Sequence, residues 1–314
     1  MGEFDLIERI RARVDTDDSV VVGIGDDAAV LRPDPDRDLV VTTDTLVAGR
    51  HFENHWPASD IGHLALAVNL SDLAAMGARP RWALLSLTLP ESNPDWLDDF
   101  LDGFLALASD YRTLLVGGNI ASGPLSVTVQ LMGDVEPGRS TLRTGARVGD
   151  IVAVTGSLGN AAAALELGAS APEALVERFH RPIPRIAAGA RLVSHARAMI
   201  DISDGLIADL AHLLGDGLAA RIDLENLPAS PALQRAFSAD QDRWRLQATG
   251  GNDYELLALM ADDAFAAAQA SLEGLNVALT RIGRIEAGQG IQCRRPDGSM
   301  LELDHGGWDH FDSH

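Results

Sequence analysis

The hydrophobic and polar positions of the chain alternate between two spacings, which predicts strands and helices that follow one another along the sequence. Valine- and threonine-rich stretches are typical of strands, and apolar residues three and four positions apart are typical of helices. The predicted helices cover 4–14, 61–76 and 94–110, and the predicted strands cover 20–22, 39–47, 82–89, 113–116 and 125–135. This mixed order indicates an α/β protein.

The second half of the chain repeats the alternation after a polar stretch. Residues 137–150 are rich in glycine and other turn formers and are the predicted domain boundary. Beyond them we predict strands at 151–154, 198–202 and 254–260, helices at 160–167, 184–197 and from 206, and a hairpin at 296–298. We therefore predict two α/β domains with mixed sheets, over residues 1–137 and 138–314.

Four predicted strand ends carry glycine or acidic clusters, two in each half of the chain. They lie at 25–27, 117–119, 201–205 and 250–253. Because neighbouring carboxylates repel each other and lose hydration when partly buried, such clusters often accompany a cation. A solvated acidic turn is the alternative for the first cluster. Helix capping is the alternative for Ser203 and Asp204.

Asp72 lies on an apolar stripe of the predicted helix 61–76. At 100° per residue it falls among Ile61, Ala65 and Val68. A charged carboxylate in such surroundings needs a partner, because burying it alone costs roughly several kcal/mol. The partner is either a cation or a hydrogen-bond donor in the core.

Composition and charge exclude several classes of function. The formal net charge is −21, which opposes binding to nucleic acids or anionic membranes. The sequence contains no lysine, which excludes the lysine-dependent phosphate loop, the protein-kinase lysine and Schiff-base chemistry. Its one cysteine, Cys293, excludes an intrachain disulfide and a thiolate metal cluster. Dispersed aspartates instead suit a hard cation such as Mg²⁺, which commonly accompanies substrate phosphates.

The amino terminus is acidic and polar and shows no signal peptide. No segment approaches the roughly 18 consecutive apolar residues that a membrane-spanning helix requires. We therefore expect a cytoplasmic protein.

Six motifs together resemble those of the thiamine-monophosphate kinase family. They are GIGDDA (23–28), TTDTLV (42–47), HF (51–52), AVNLSDLAAMG (67–77), DISDGL (201–206) and WDHF (308–311). The resemblance implies a two-domain fold of the aminoimidazole ribonucleotide synthetase type, and a homodimer joined through a barrel of the N-terminal sheets. It also implies phosphoryl transfer from ATP to thiamine monophosphate with several Mg²⁺ ions.

The resemblance further implies roles for individual residues. The implied Mg²⁺ ligands are Asp27, Thr42, Thr43, Asp44, Asp72, Asn119, Asp201 and Asp204. The implied ATP contacts are Tyr111, Gly118, Asn119, Arg143 and Ser203, and the implied thiamine monophosphate contacts are His51, Asn252 and Trp308. An indole stacked on a thiazolium ring is a favourable cation–π pair, although ordinary packing is the alternative for His51 and Trp308. In this interpretation the first domain binds ATP and Mg²⁺ and dimerises, and the second closes the substrate site.

Two motifs depart from the family pattern. Asn119 stands where the family has aspartate, and Ile120–Ser122 replace its Thr-Thr-Arg. Asn252 stands where the family has glutamate. Asparagine keeps an acceptor oxygen but loses the charge, so that a metal ion is held more weakly. Two other hypotheses therefore remain: a nucleotide-binding homologue with little turnover, and a sister enzyme of the same fold that acts on another small substrate.

Overall fold

The computed structural model describes residues 2–301, which divide into two compact units. The first unit comprises residues 2–73 and 78–138, and the second comprises residues 74–77 and 139–301. Both contain helices and mixed sheets, as the sequence predicts. None of the helices in the described part of the chain is long and apolar enough to cross a membrane.

The first unit is built on a four-stranded sheet. Its elements are α1 (Glu3–Arg11), β1 (Val20–Val22), β2 (Val30–Leu31), β3 (Asp38–Val47), α2 (Ala58–Ala75), β4 (Arg79–Leu89), α3 (Pro94–Asp110), β5 (Leu114–Ser122) and β6 (Ser126–Val135). The strand order is β3-β6-β4-β5, with β6 antiparallel to both neighbours and β4 parallel to β5. Strands β1 and β2 form a separate antiparallel pair.

Helices α2 and α3 cross at a pair of glycines. A Cβ atom at Gly62 would lie 2.0 Å from the Phe100 carbonyl oxygen, and one at Gly103 would lie 1.8 Å from the Ser59 carbonyl oxygen. Only a residue without a side chain fits at either position. The close crossing helps to bury α2 on nearly all sides, which explains why its sequence is apolar almost all round.

The second unit contains a seven-stranded sheet. Its elements are β7 (Ile151–Thr155), α4 (Asn160–Leu167), α5 (Glu173–His180), α6 (Ile186–Leu192), β8 (Ala196–Asp201), α7 (Leu206–Leu213), β9 (Leu218–Asp223), α8 (Pro231–Ala236), α9 (Asp240–Thr249), β10 (Leu256–Met260), α10 (Phe265–Ser271), β11 (Leu279–Ala287), β12 (Gly290–Arg294) and β13 (Met300–Leu301). The strand order is β13-β12-β9-β11-β7-β10-β8, and only β12 and β9 pair in parallel. Alternate residues of β7 join two separate apolar clusters, so the strand is covered on both faces.

The two largest differences from the predicted boundaries lie in β5 and α6. The predicted strand 113–116 continues as β5 through Ser122, so that 117–119 lie inside a strand and not at its end. The cause is the parallel pairing with β4, which runs to Ser122. The predicted helix 184–197 covers only Ile186–Leu192, because the residues from Ala196 onwards join the sheet as β8.

Candidate active site

One cavity in the first unit brings together four of the predicted site residues. It measures about 940 Å³, and the glycine-rich loop 23–28 and strand β5 line parts of its wall. Asp27, Thr43, Gly118 and Asn119 all contribute to the lining. Apolar side chains of the sheet make up much of the remainder. The cavity therefore has the mixed character of a small-molecule site, with a few polar groups on an apolar wall.

The loop 23–28 presents two exposed carboxylates to this cavity, and the Arg11 side chain of α1 lies beside the loop. The backbone N–H of Asp27 donates to Asp26 Oδ1 at 2.9 Å. Gly25 has a φ of +120°, and a Cβ atom there would lie 3.2 Å from the Arg11 guanidinium. Glycine thus gives this turn its conformation and leaves space for the arginine.

The predicted ligands on β3 point to two opposite faces of the sheet. Thr42 and Asp44 pair in register with the buried residues Leu131 and Val129 of β6, whereas Thr43 pairs with the exposed Gln130. Paired residues of an antiparallel sheet share a face. Thr43 therefore lies on the cavity side, where its hydroxyl donates to the Val129 carbonyl at 3.0 Å.

On the other face, the Thr42 hydroxyl donates to Asp72 Oδ2 at 2.5 Å. The predicted partner of Asp72 thus includes a hydrogen-bond donor from β3. Across residues 2–301, no three Asp, Glu, His or Cys side chains lie close enough to hold one metal ion. The shared Mg²⁺ set of Asp27, Asp44 and Asp72 accordingly stays a prediction.

The other residues predicted to contact thiamine monophosphate or ATP lie in different parts of the chain. His51 Nδ1 accepts the backbone N–H of Val47 at 3.0 Å, which places the proton of a neutral imidazole on Nε2. Tyr111 follows the last residue of α3 and is half-buried. Arg143 belongs to the second unit and is exposed, and Trp308 lies outside the described residues.

In the second unit, Asp209 organises the loop that carries Ser203 and Asp204. Asp209 Oδ2 accepts the backbone N–H groups of Ser203, Asp204 and Gly205 at 3.0, 3.1 and 3.1 Å. Burial, together with the neighbouring charge of Asp204, raises the pKa of Asp209 to about 7, although the three N–H groups act in the opposite direction. Asp201, at the end of β8, is also buried.

Two backbone hydrogen bonds join a second loop, 250–255, to the loop that carries Ser203 and Asp204. The backbone N–H of Asn252 donates to the Ser203 carbonyl at 2.8 Å, and that of Tyr254 donates to the Ile202 carbonyl at 2.8 Å. Asn252 has a φ of +64°, a left-handed conformation that asparagine tolerates better than most residues. The structure thus brings the predicted substrate residue Asn252 against the predicted nucleotide residue Ser203.

Three charged residues of the second unit were not assigned roles from the sequence. Asp253 accepts the N–H of Gly159 at 2.8 and 3.0 Å, and loss of hydration raises its pKa well above the usual value. Glu255 forms a two-point ion pair with Arg185 at 2.7 and 2.5 Å and accepts the Thr155 hydroxyl at 2.7 Å. Asp253 belongs to the cluster 250–253, and Glu255 lies two residues beyond it, so their position next to the predicted site is the signal in the sequence.

Comparisons with known proteins place the whole chain in one group. Residues 25–135 match the family model of the AIR synthase related protein N-terminal domain, and residues 147–295 match that of the C-terminal domain. Thiamine-monophosphate kinase of Escherichia coli K12 is 43% identical over 99% of this chain and 98% of its own. The chain belongs to the thiamine-monophosphate kinase family. The Bacillus subtilis member of the family is 32% identical over 99% of this chain and 100% of its own.

Solved structures of the family share the fold. The crystal structure of thiamine-monophosphate kinase from Stenotrophomonas maltophilia is 45% identical, covers 96% of this chain and 98% of its own, and superposes with a TM-score of 0.86. AaThiL complexed with AMPPCP and TMP is 33% identical, covers 98% of this chain and 96% of its own, and gives a TM-score of 0.78. The predicted two-domain fold of the aminoimidazole ribonucleotide synthetase type is thereby confirmed.

Proposed function

We propose that the protein phosphorylates thiamine monophosphate to thiamine diphosphate with ATP as the donor. The observation that carries the proposal is the near full-length similarity to thiamine-monophosphate kinases, at 43% identity for the Escherichia coli protein. The complex of the relative AaThiL with AMPPCP, an ATP analogue, and TMP supports the same pair of substrates. In the reaction, a phosphate oxygen of thiamine monophosphate attacks the γ-phosphorus of ATP. The bond from that phosphorus to the β,γ-bridging oxygen breaks, and ADP leaves.

We propose Mg²⁺ as the metal of this reaction. The donors that line the cavity in the first unit, Asp27, Thr43 and Asn119, are hard oxygen ligands that fit Mg²⁺. Thr42, Asp44, Asp72, Asp201 and Asp204 complete the proposed set. When bound, the metal supplies positive charge to the phosphate oxygens. Because the chain has no lysine, arginines such as Arg143 are the remaining fixed cations for this purpose.

The residues of the chain have the following proposed tasks. The first domain binds ATP and Mg²⁺, and its glycine-rich loop lets the backbone approach the phosphates. Tyr111, Gly118, Arg143 and Ser203 contact ATP, whereas His51, Asn252 and Trp308 contact thiamine monophosphate.

We also propose a cytoplasmic homodimer that binds neither nucleic acid nor membrane. In the part of the chain that the structure describes, β3 is an edge strand of the four-stranded sheet, and it exposes Leu39, Val41 and Val47 at 51%, 49% and 40% of their surface. An apolar row on an unpaired edge favours association with a second copy. The strong negative charge disfavours the other two partners.

An ADP-release assay tests the proposed reaction against its main alternative. Purified protein with ATP, Mg²⁺ and thiamine monophosphate is expected to release ADP at a rate that falls to background when the acceptor is omitted or the metal is chelated. The alternative hypothesis, motivated by Asn119 and Asn252, is a homologue that binds nucleotide with little turnover. Measurable ATP binding without acceptor-dependent ADP release would favour that alternative.

A further inference from the structure

The loop between β8 and α7 contains a backbone cradle of a kind that commonly binds anions. Its three successive N–H groups, from Ser203 to Gly205, converge on one point at the N-terminus of α7. Three converging N–H groups at a helix N-terminus form a favourable site for phosphate or sulfate. In this chain, however, the carboxylate of Asp209 already occupies that point.

Asp209 is well suited to hold this position permanently. Asp209 lies in the first turn of α7 and is 2% exposed. One oxygen, Oδ2, accepts all three N–H groups, at distances of 3.0 to 3.1 Å. A phosphate oxygen would have to displace a buried, internally bonded carboxylate in order to reach the same donors. The cradle is therefore closed to external anions.

The filling of the cradle determines what the loop offers to a ligand. With its N–H groups engaged, the loop retains the carboxylate of Asp204 and the hydroxyl of Ser203, whereas Asp201 is buried. Ser203 and Asp204 are half-buried, whereas Gly205 is buried. The accessible groups of this loop are thus oxygen atoms, which bind cations.

The N-terminus of α4 in the same unit is filled in the same manner. Asp253 accepts the N–H of Gly159, which precedes the first residue of that helix, through both carboxylate oxygens. The glycine-containing turn 156–159 resembles a phosphate-binding turn in composition, yet its helix terminus also holds an internal acid. At the N-termini of α4 and α7, backbone N–H groups are therefore bonded to aspartate side chains of the protein itself.

We propose that Asp209 is a positioning residue that closes the backbone anion cradle of 203–205 and holds Ser203 and Asp204 toward cations. This inference rests on the proposed function, since the cations concerned are those that accompany ATP. It assigns the phosphate charge to metal ions and arginines, and not to the amides of this loop. The bond from Asn252 to the Ser203 carbonyl extends the same order to the loop 250–255.

Replacement of Asp209 by alanine, with and without a small anion, tests the cradle directly. In D209A the three N–H groups lose their acceptor, so we expect a lower thermal midpoint and amide exchange at Ser203–Gly205 at least tenfold faster than in the wild type. Formate at 100 mM is expected to restore at least half of the lost midpoint, because it supplies a carboxylate to the open cradle. Wild-type protein and the control D216N, a change at an exposed turn of the same unit, are expected to show no such response to formate.

The Mg²⁺ dependence separates a positioning role from a purely structural one. In D209A we expect the Mg²⁺ concentration for half-maximal ADP release to rise at least tenfold. D209N keeps an acceptor oxygen but not the charge, and we expect it to retain the slow amide exchange and to raise the Mg²⁺ requirement by a smaller factor. Should D209A fail to fold, amide exchange and Mg²⁺ dependence in D209N carry the test.

The outcomes distinguish the inference from the function on which it rests. Unchanged amide exchange at 203–205 in D209A, or the same formate response in D209A and D216N, would overturn the role of Asp209 whatever the substrate. An unchanged Mg²⁺ requirement in both Asp209 variants would reduce Asp209 to a helix cap and overturn the positioning role. Absence of any kinase activity in the wild type would refute the proposed function, and the exchange and formate results would still decide the cradle.

Discussion

Asn119 shows how a single residue can lower the charge of a site without disturbing its fold. It lies inside β5, opposite Ser86 of β4, and lines the cavity of the first unit. Its amide oxygen can coordinate a metal ion, but it lacks the full charge of the aspartate that the family pattern has at this position. The expected consequence is weaker metal binding in an otherwise intact cavity.

Replacement of Asn119 by aspartate is expected to strengthen Mg²⁺ binding. A restored carboxylate should lower the Mg²⁺ concentration for half-maximal activity several-fold, on the order of 1 kcal/mol, and raise turnover. Steady-state ADP release as a function of Mg²⁺ measures both effects. The same change at the exposed Asn226 of the second unit is the control. Equal Mg²⁺ requirements for N119D and the wild type would count against Asn119 as a ligand.

Asn252 illustrates a feature that sequence reasoning reached only in part. The motif marks the position as a departure from the family pattern, and the residue type by itself indicates only a loss of charge. The structure adds the backbone: φ is +64° at Asn252 and +49° at Tyr254, on either side of Asp253. Left-handed residues depend on contacts with a distant loop, here with Ile202 and Ser203, and no local pattern reveals such contacts.

At the scale of elements, local patterns predicted most helices and strands but not their pairing. Helix α3 has the predicted bounds because its ends carry local signals, an asparagine cap at Asn93 and a proline at its first position. The extent of β5 depends instead on its neighbour β4, and the short α6 depends on the entry of β8 into the sheet. Both boundaries are set by long-range hydrogen bonds, so they could not be read from spacing.

We expect that the close packing of β4 against β5 requires glycine at position 118, whether or not a ligand is bound. A Cβ atom at this position would lie 1.8 Å from the Leu85 carbonyl oxygen. We expect G118A to lose about 1–3 kcal/mol of stability through overpacking, seen as a lower Tm by calorimetry. Gly215 has open space around its Cβ position and no left-handed φ, so that G215A is the matched control. A Tm for G118A equal to that of the wild type would show that β4 and β5 accommodate the added methyl group without loss of stability.

The buried carboxylate of Asp134 forms ion pairs with three arginines. These ion pairs should make the free energy of unfolding depend on pH. Asp134 of β6 pairs with Arg37, Arg79 and Arg81 at 2.5, 2.8 and 3.1 Å. Burial disfavours its charged form, but the hydrogen bonds and charges of Arg79 and Arg37 outweigh burial, and the pKa of Asp134 is lowered. Its stabilising contribution is therefore complete above the unfolded pKa of about 4 and is lost as the pH falls through the lower folded pKa.

The variant D134N is expected to lose about 2 kcal/mol at pH 7. This loss is smaller than the roughly 3–5 kcal/mol typical of fully buried pairs, because Arg79 is largely exposed. The difference between variant and wild type should shrink as the pH falls below about 4 and disappear below the lowered folded pKa, where the wild-type carboxylate is also neutral. Urea denaturation at several pH values measures this difference. A difference that does not change with pH would mean that Asp134 acts through packing and not through charge.

For the whole molecule, the family is evident from motifs spread along the sequence, whereas the assembly of a metal site is not. The order of the motifs predicted the two-domain fold, which the family models and solved structures confirm. The sequence also predicted that β3 carries ligands, but Thr43 and its neighbours Thr42 and Asp44 point to opposite faces of the sheet. Successive side chains of a strand point to opposite faces of the sheet, so residues that are adjacent in a motif need not lie in the same site.

The proposed dimer can be tested on the exposed edge strand of the first unit. Arginine at Val41 would place like charges on facing copies and interrupt the apolar row, so that V41R is expected to be monomeric where the wild type is dimeric. Light scattering coupled to size-exclusion chromatography gives the two masses. L165R changes another exposed apolar residue, in α4 of the second unit, and is expected to remain dimeric. A monomeric wild type at micromolar concentration would contradict the proposal.

The central claim is that the chain transfers a phosphoryl group from ATP to the phosphate of thiamine monophosphate. Phosphorus NMR of a single reaction follows all the species concerned, because the product contains a new phosphorus–oxygen–phosphorus link that thiamine monophosphate lacks. We expect the paired signals of thiamine diphosphate to grow in equal amount to ADP, and unphosphorylated thiamine to give no product. ADP that appears with inorganic phosphate and without thiamine diphosphate would contradict the claim.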